Sequence, residues 1–505
     1  MSQDQVTRIH QNIDRHLAER PDNPAVIDFD GRRLTYRDYA AAVSEAEAVL
    51  RGAGVVAGDR VLIVAENSLA AIAFVFACSR LDAWAVPVNA RMTAAEMTRI
   101  RQHATPRAVV FTVKASPDAE THAEADSADL LTGRFGTIAL STPFDSTPEP
   151  VEPGRGQVGV VLYTTGTTGA PKGVMLTQGN LLFAGKASAE LRDMTPTDTV
   201  YGVLPMTHVF GLASMVVAAS HGGACIRLNP RFSAEALYNA LREDVTILPA
   251  VPQMHAHLMH YTKAQGYTKL EGSGLRYVSS GAAPLDPAWK RNAEAFYGIP
   301  LQNGYGMTET TAGVCATRNA IGSPDVSVGY ALPGVEIKLD EDIGGRSDGV
   351  GEILTRGPHI MKGYFRNPEE TEKVLLPDGF LRTGDLGRID ENGMLHIVGR
   401  SKELIIRSGF NVYPQEVEKA LNDHPAVVLA AVVGRTVEGG NEEVLAFVQV
   451  GDPAAVSEDE LKAHIAESLS SYKRPSKIVI TDRLPAAATG KILKNRLIET
   501  FRDQL

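Results

Sequence analysis

Cysteine is scarce: Cys78, Cys225 and Cys315 are the only three in 505 residues. An odd, widely spaced set fits neither a disulfide framework nor a zinc site, so a reducing compartment is expected. Long apolar runs are missing as well. No stretch of about 18 apolar residues exists to span a bilayer, and Met1 to Pro21 is polar and charged rather than an apolar leader. The expected location is the cytoplasm. A basic excess is also absent, since 50 Lys and Arg stand against 60 Asp and Glu for a net charge of −10. Nucleic acid is therefore excluded as an expected partner, and any anion site must be local. No internal repeat is visible. At 44% hydrophobic and 22% charged residues, the composition is that of an ordinary globular protein. Its length leaves room for about three units of ~150 residues each.

Against this background one stretch stands out, Tyr163-Thr164-Thr165-Gly166-Thr167-Thr168-Gly169-Ala170-Pro171-Lys172-Gly173. Glycines let backbone N–H groups turn around phosphate oxygens, four threonine hydroxyls add donors, and Lys172 supplies a point charge. The combination points to ATP. It is not a Walker A loop, which needs Gly-Lys-Ser/Thr opening a helix; here Pro171 precedes the lysine, and Gly173 to Thr177 reads as a second strand. The loop is expected to join two strands. A plain glycine-rich hairpin tip is the alternative.

The rest of the chain alternates short apolar strands with helical stretches, which predicts an α/β fold. Asp59 to Ala65, a helix through Phe74 to Arg80, and Ala83 to Val88 form an early β-α-β unit. Val158 to Tyr163, Thr246 to Ala250 and Leu275 to Ser279 are further strands running into Gly, Pro or Ser turns, where ligands gather in such folds. Ser116 to Gln157 reads as the least structured tract, a surface excursion. Near residue 400 the texture changes, and Gly399 to Glu403 is polar between two apolar strands. A boundary is placed there, giving domains 1–400 and 401–505. In the second, Pro414 to Leu421 is helical, Val427 to Val433 and Glu443 to Val450 are strands, and Ser457 to Glu460 is a capping box.

Several small-residue turns match the phosphate loop. Ser280-Gly281-Ala282-Ala283-Pro284 can line a flat ring. In Asn303-Gly304-Tyr305-Gly306-Met307-Thr308-Glu309-Thr310, Tyr305 can stack on a purine, Thr308 can bond a phosphate oxygen and Glu309 can hold Mg²⁺. Asp385, in Leu381 to Leu386, can accept ribose hydroxyl protons, with Arg400 as the matching donor. Singly, each has another reading: a loop, a solvated carboxylate, an Asx turn.

Together these segments resemble the acyl-adenylate-forming superfamily, its acyl-CoA synthetases, luciferases and peptide-synthetase adenylation domains. The resemblance spans nearly the whole chain and rests on Tyr163 to Gly173, Pro205 to Gly211, Ser280 to Pro284, Tyr305 to Glu309, Arg382 to Asp385, Gly399 to Lys402 and Gly490-Lys491, in the family's order. Thr165 stands where many members carry serine, which keeps the hydroxyl. The resemblance implies layered α/β sheets with a small β-barrel, and a mobile C-terminal α+β domain beyond a hinge at Lys402. It implies two half-reactions: a carboxylate attacks Mg·ATP to give an acyl-adenylate and pyrophosphate, and coenzyme A then displaces AMP. By the same resemblance Lys491 bridges the carboxylate and the α-phosphate, and Thr164 to Lys172 hold the pyrophosphate. Asp385 and Arg400 fix the ribose, His208 lies beside the acyl carboxylate, and Ser408-Gly409-Phe410 admits the pantetheine arm.

Family acid-pocket positions map to His208, Val209, Phe210, Ser279, Gly281, Gly304, Ala312, Gly313 and their neighbours. These are mostly small or apolar. No lysine or arginine falls among them, so a dicarboxylate lacks a partner for its second charge, and an aromatic or medium-chain monocarboxylic acid is expected. Longer or branched chains remain open as substrates, a carrier protein as acceptor, and a nucleotide-binding protein without turnover as a third reading. No carrier domain is visible before Leu505, and Lys491 and Glu309 are retained, which favours coenzyme A and catalysis. Monomer and homodimer are equally compatible with the sequence.

Overall fold

The computed structural model describes residues 6–141, 144–165, 171–282, 285–343, 349–407, 410–437, 441–454, 456–486 and 492–505. Its packing divides the chain into two units, one of residues up to Glu336 with Thr355–Leu381, the other of Ile337–Leu354 with Arg382–Leu505. The second unit thus takes in the strand pair before residue 355 as well as the chain from Arg382 onward, because Leu381–Ile389 pairs in one sheet with Val350–Arg356; the sequence places a boundary at 400.

Two sheets build the first unit. One runs in the order Gly363–Tyr364, Pro171–Thr177, Val158–Thr165, Trp84–Asn89, Arg60–Ala65, Ala108–Phe111, Gly136–Leu140, Asp129–Gly133; the other in the order Tyr330–Ala331, Cys315–Ala316, Leu301–Tyr305, Tyr277–Gly281, Ile247–Ala250, Thr199–Gly202, Cys225–Leu228, Pro24–Ile27, Arg33–Thr35. The central strands are buried on both faces, and their side chains sort with the period of two that a pleat imposes. Val61 and Ile63 join a core shared with Val26, Ile226 and Ile247 of the other sheet. Leu62 and Val64 instead meet Met97, Ile100 and Ala119 of the helices outside. On the far face of the second sheet, Tyr201, Leu248 and Val278 meet Leu237, Leu258 and Phe296. The helix Leu69–Arg80 is apolar all round and fully buried over Leu69–Ser79, as a helix between two sheets must be. Ser68 caps it by accepting from the Ala71 N–H.

The second unit carries most of a small sheet in the order Glu336–Asp340, Val350–Arg356, Leu381–Ile389, Leu395–Arg400, its last two strands antiparallel; the resemblance implies a small barrel in the N-terminal part. It also has a three-stranded sheet, Val427–Thr436, Glu442–Val450, Lys477–Thr481. Val432, Ala446 and Ile478 face helices Pro414–Asn422 and Glu458–Ala466, while Ala431, Phe447 and Val479 face Leu497 and Phe501. The expected capping box is present, with Ser457 accepting from the Glu460 N–H and Glu460 accepting from the Ser457 N–H.

One expectation fails. Ser116 to Gln157 is no loose excursion: its first part folds as helix Pro117–Ala125, capped by Ser116, and the hairpin Asp129–Gly133 with Gly136–Leu140. The helix is nine residues long and buries only Ala119 and Ala123, so its apolar period is too brief to register in sequence.

Candidate active site

Val158–Thr165 and Pro171–Thr177 pair antiparallel, with Thr164 opposite Lys172 and Thr165 opposite Pro171. The phosphate loop is therefore a strand-to-strand connection, as expected. Gly166, Thr167, Thr168 and Gly169 themselves lie outside the described residues. The short strand Gly363–Tyr364 adds to the outer edge, Tyr364 opposite Val174, and this brings its ring to Lys172, whose Nζ stands 5.2 Å from the ring centroid. Lys172 also forms an ion pair with Glu370, in the first turn of helix Pro368–Val374 that Asn367 caps. That contact, with a second to Lys373, pulls the Glu370 carboxyl down to about 2.

Leu301–Tyr305 leads through Gly306 and Met307 into a turn at Thr308–Thr310. A Cβ at Gly306 would lie 1.2 Å from the Ala312 carbonyl oxygen, so only glycine fits. Thr311 and Ala312 are both left-handed, at φ 48° and 86°. Thr308 is buried, and Tyr305 is half-buried. The Asn303 amide donates to the Ser327 carbonyl at 2.9 Å, which ties down the neighbouring loop. Glu309 is held twice: its backbone carbonyl accepts from the Met361 N–H at 2.9 Å, and its Oε1 accepts the Tyr364 hydroxyl at 2.8 Å. Burial first, then this carboxylate, raises the Tyr364 pKa. Lys172, Glu309 and Tyr364 are thus brought together.

No group of three His, Cys, Asp or Glu able to hold a metal occurs among the described residues. Glu309 keeps its second carboxylate oxygen beyond the tyrosine contact. One carboxylate beside phosphate oxygens is the donor set Mg²⁺ uses in nucleotide sites, so the residues fit that ion.

At the neighbouring strand end, Gly281 lies opposite Gly304 in parallel register. A Cβ on Gly281 would meet two Phe210 ring carbons at 3.1 and 3.2 Å, so the ring lies against the glycine. A Cβ on Gly313 would meet the Leu332 side chain at 2.8 Å. Val209 is buried, and His208, just before it, is exposed. Ala282 is left-handed at φ 65°, Ala283 lies outside the described residues, and the buried Ser280 hydroxyl has no hydrogen-bond partner among the described residues. His255 is buried beneath: its Nε2 lies 3.2 Å from the Ser279 carbonyl and its Nδ1 2.7 Å from the Tyr297 hydroxyl. With Nε2–H donating to the carbonyl, Nδ1 accepts from Tyr297, and burial pushes this histidine down to about 4.

In the second unit, Asp385 and Arg400 are register partners, with Arg400 Nε 3.1 Å from Asp385 Oδ1. The two ribose candidates are therefore adjacent. Lys402 is exposed in the turn Ser401–Glu403. Phe410, 55% exposed, stacks on Tyr472 at 4.7 Å between centroids. Ser408, Gly409 and Lys491 lie outside the described residues.

Three residues escaped the sequence reading. Tyr364 holds Glu309. His255 holds Ser279. Asn67 donates to the Gly202 and Leu204 carbonyls and accepts the Met206 N–H, each at 2.9 Å, which positions the segment ahead of His208. Their partners are far away in sequence, and only Gly363-Tyr364, an aromatic directly after a glycine, left a local trace.

Residues 13–365 match the family model described as AMP-binding enzyme, and residues 416–491 match its C-terminal domain. The indoleacetate–CoA ligase of Aromatoleum aromaticum is 32% identical, covering 97% of this chain and 99% of the relative. The 4-coumarate–CoA ligase 5 of Oryza sativa subsp. japonica is 34% identical, covering 97% and 94%. The crystal structure of ATP-bound MatB from Rhodopseudomonas palustris superposes with a TM-score of 0.85 at 30% identity, covering 98% and 99%. Nucleotide turns, sheet architecture and matches along both parts of the chain agree: this chain belongs to the AMP-binding enzyme family.

Proposed function

We infer that the protein is an ATP-dependent carboxylic acid:CoA ligase acting on an aromatic or medium-chain hydrophobic monocarboxylic acid. It is an AMP-forming acid–thiol ligase that uses ATP, Mg²⁺ and coenzyme A. The observation that carries the reading is the meeting of Lys172 and Glu309 at Tyr364, a cation and a metal-type carboxylate beside the hairpin loop. In the first step a substrate carboxylate oxygen bonds the α-phosphorus and the bond to pyrophosphate breaks, a reaction that needs positioning and charge neutralisation rather than covalent help. Lys172 and the threonines of the loop hold the leaving pyrophosphate. Glu309 holds the ion, and bound Mg²⁺ supplies neutralisation of the phosphate charge. Asp385 and Arg400 fix the ribose, and Lys491 is assigned to the α-phosphate on the resemblance alone. In the second step the CoA sulfur bonds the acyl carbon, the thiol proton passes to solvent and AMP leaves; Ser408, Gly409 and Phe410 are assigned to that arm, with Lys402 as the hinge.

For the acid, Phe210 against Gly281 provides an aromatic wall, and the mapped pocket segments hold no lysine or arginine. Indoleacetate and 4-coumarate in the relatives' names are aromatic acids of this kind. Three buried, free cysteines support a cytoplasmic setting, and no helix among the described residues is long and apolar enough to cross a membrane. Pyrophosphate release from Mg·ATP across aromatic, short, medium, branched and dicarboxylic acids, with and without CoA, tests the reading. Release that depends on an aromatic or medium-chain acid and on Lys491 is expected; release driven best by a dicarboxylate would overturn the acid assignment.

A further inference from the structure

We propose that Tyr364 is a positioning residue of the metal–pyrophosphate site, a side chain that touches both Glu309 and Lys172 and sets them relative to each other. The inference rests on the reading of Glu309 as the metal carboxylate. Two separate contacts carry it. The phenol hydroxyl donates to Glu309 Oε1 at 2.8 Å, and the face of the same ring lies 5.2 Å from Lys172 Nζ.

A carboxylate with one oxygen tied to a fixed donor presents the other in a defined direction. A hydrogen bond to a ligating carboxylate is the kind of outer contact that tunes metal affinity. The ring is itself fixed: Tyr364 is buried, its backbone N–H donates to Thr371 Oγ1 at 2.9 Å, and its strand is registered on the loop's own strand. Lys172 over the ring face gains a cation–π contact in addition to its ion pair with Glu370. The hairpin that carries the lysine and the turn that carries the carboxylate lie more than 130 residues apart, yet one ring spans both.

The experiment is a titration of Mn²⁺ into the full-length protein with a non-hydrolysable ATP analogue, reading free Mn²⁺ by electron paramagnetic resonance. It compares the parent with Tyr364→Phe, which keeps the ring and deletes the hydroxyl, and with Glu309→Gln. Tyr364→Phe is expected to weaken Mn²⁺ binding roughly tenfold or more, with analogue affinity at saturating metal within about twofold. The double variant should be no weaker than Glu309→Gln, because the two act as one unit. The Mg²⁺ dependence of pyrophosphate release should move with it, the half-activating concentration rising while the rate at saturation holds, a split that general destabilisation does not produce. If Tyr364→Phe titrates like the parent while Glu309→Gln does not, the tyrosine's role falls and the Glu309 reading stands. If neither differs from the parent, the metal assignment of Glu309 falls and the role of Tyr364 falls with it.

Discussion

At the Lys172 end of the site the contacts join charge to charge, charge to ring or charge to hydroxyl: lysine to Glu370, lysine to Tyr364, tyrosine to Glu309. At the Gly281 end they are steric, a phenyl ring against a glycine and two glycines opposite each other in adjacent strands. The first end is defined by what the side chains carry and the second by what they lack. On the proposed function the first end meets polyphosphate and the second the acyl group, so their sensitivity to substitution should differ in kind.

The sharpest break in that comparison is removal of the carboxylate. Glu309→Gln keeps a carbonyl to accept the Tyr364 hydroxyl and deletes only the charge, so the loss isolates electrostatics. Pyrophosphate release should drop by roughly 10²- to 10³-fold, the scale of deleting one preorganised stabilising group, while the melting temperature stays near the parent's. An equal loss of stability would mean that Glu309 serves the fold rather than the metal.

Acid should then separate the two ends. His255, beneath the glycine end, is neutral in the fold down to about 4 but titrates near 6.5 when exposed. Between those values the unfolded chain binds the proton and the folded one does not. The stability is therefore complete above pH 6.5 and is lost as pH falls toward 4, by about 3 kcal/mol for this group. His16, His221 and His359, also held down to about 4 by burial, add slope of the same sign. Denaturant unfolding at pH 7, 5.5 and 4.5 measures the total, and His255→Gln should flatten its share. The ion pair at the other end survives this range, because Glu370 is held near 2.

How much of this was legible follows from distance along the chain. The hairpin was readable because strand, loop and strand are contiguous, and Thr164, Lys172 and Glu309 announced themselves as residue types in glycine turns. Tyr364, His255 and Asn67 did not, since their partners lie 55, 24 to 42 and 135 to 139 residues away. A tyrosine or asparagine is ordinary until the fold supplies what it touches. The tract after Ser116 was misread for a local reason, a nine-residue helix with little apolar content. The small residues around Gly281 were legible as absent bulk, but the Phe210 ring beside that glycine needed the structure.

A gentler test acts on that ring. A methyl on Gly281 would crowd the Phe210 ring carbons at 3.1 and 3.2 Å, so the ring must give by a few tenths of an ångström and shift from its place against the glycine. Gly281→Ala should raise KM for an aromatic acid by roughly tenfold, the scale of one methyl group in a fitted apolar pocket, with KM for ATP little changed. Adding Phe210→Ala should restore room and shift preference toward bulkier acids. A rise in KM for ATP alone would place this wall against the nucleotide instead.

The smallest effect carries the opposite sign. Lys172 is paired with Glu370, so a phosphate reaching the lysine competes with that carboxylate. Glu370→Gln removes that competitor without shortening the side chain, and pyrophosphate should bind more tightly by roughly two- to fivefold, the modest scale of a solvent-accessible ion pair. Because Glu370 stays ionised down to about 2, the ratio between variant and parent should be flat from pH 5.5 to 8, and it should shrink with added salt. Competition by pyrophosphate against the ATP analogue reads it directly. Weaker binding in the variant would show that Glu370 orients Lys172 for the phosphate, so that the charged end, like the glycine end, is fixed by shape.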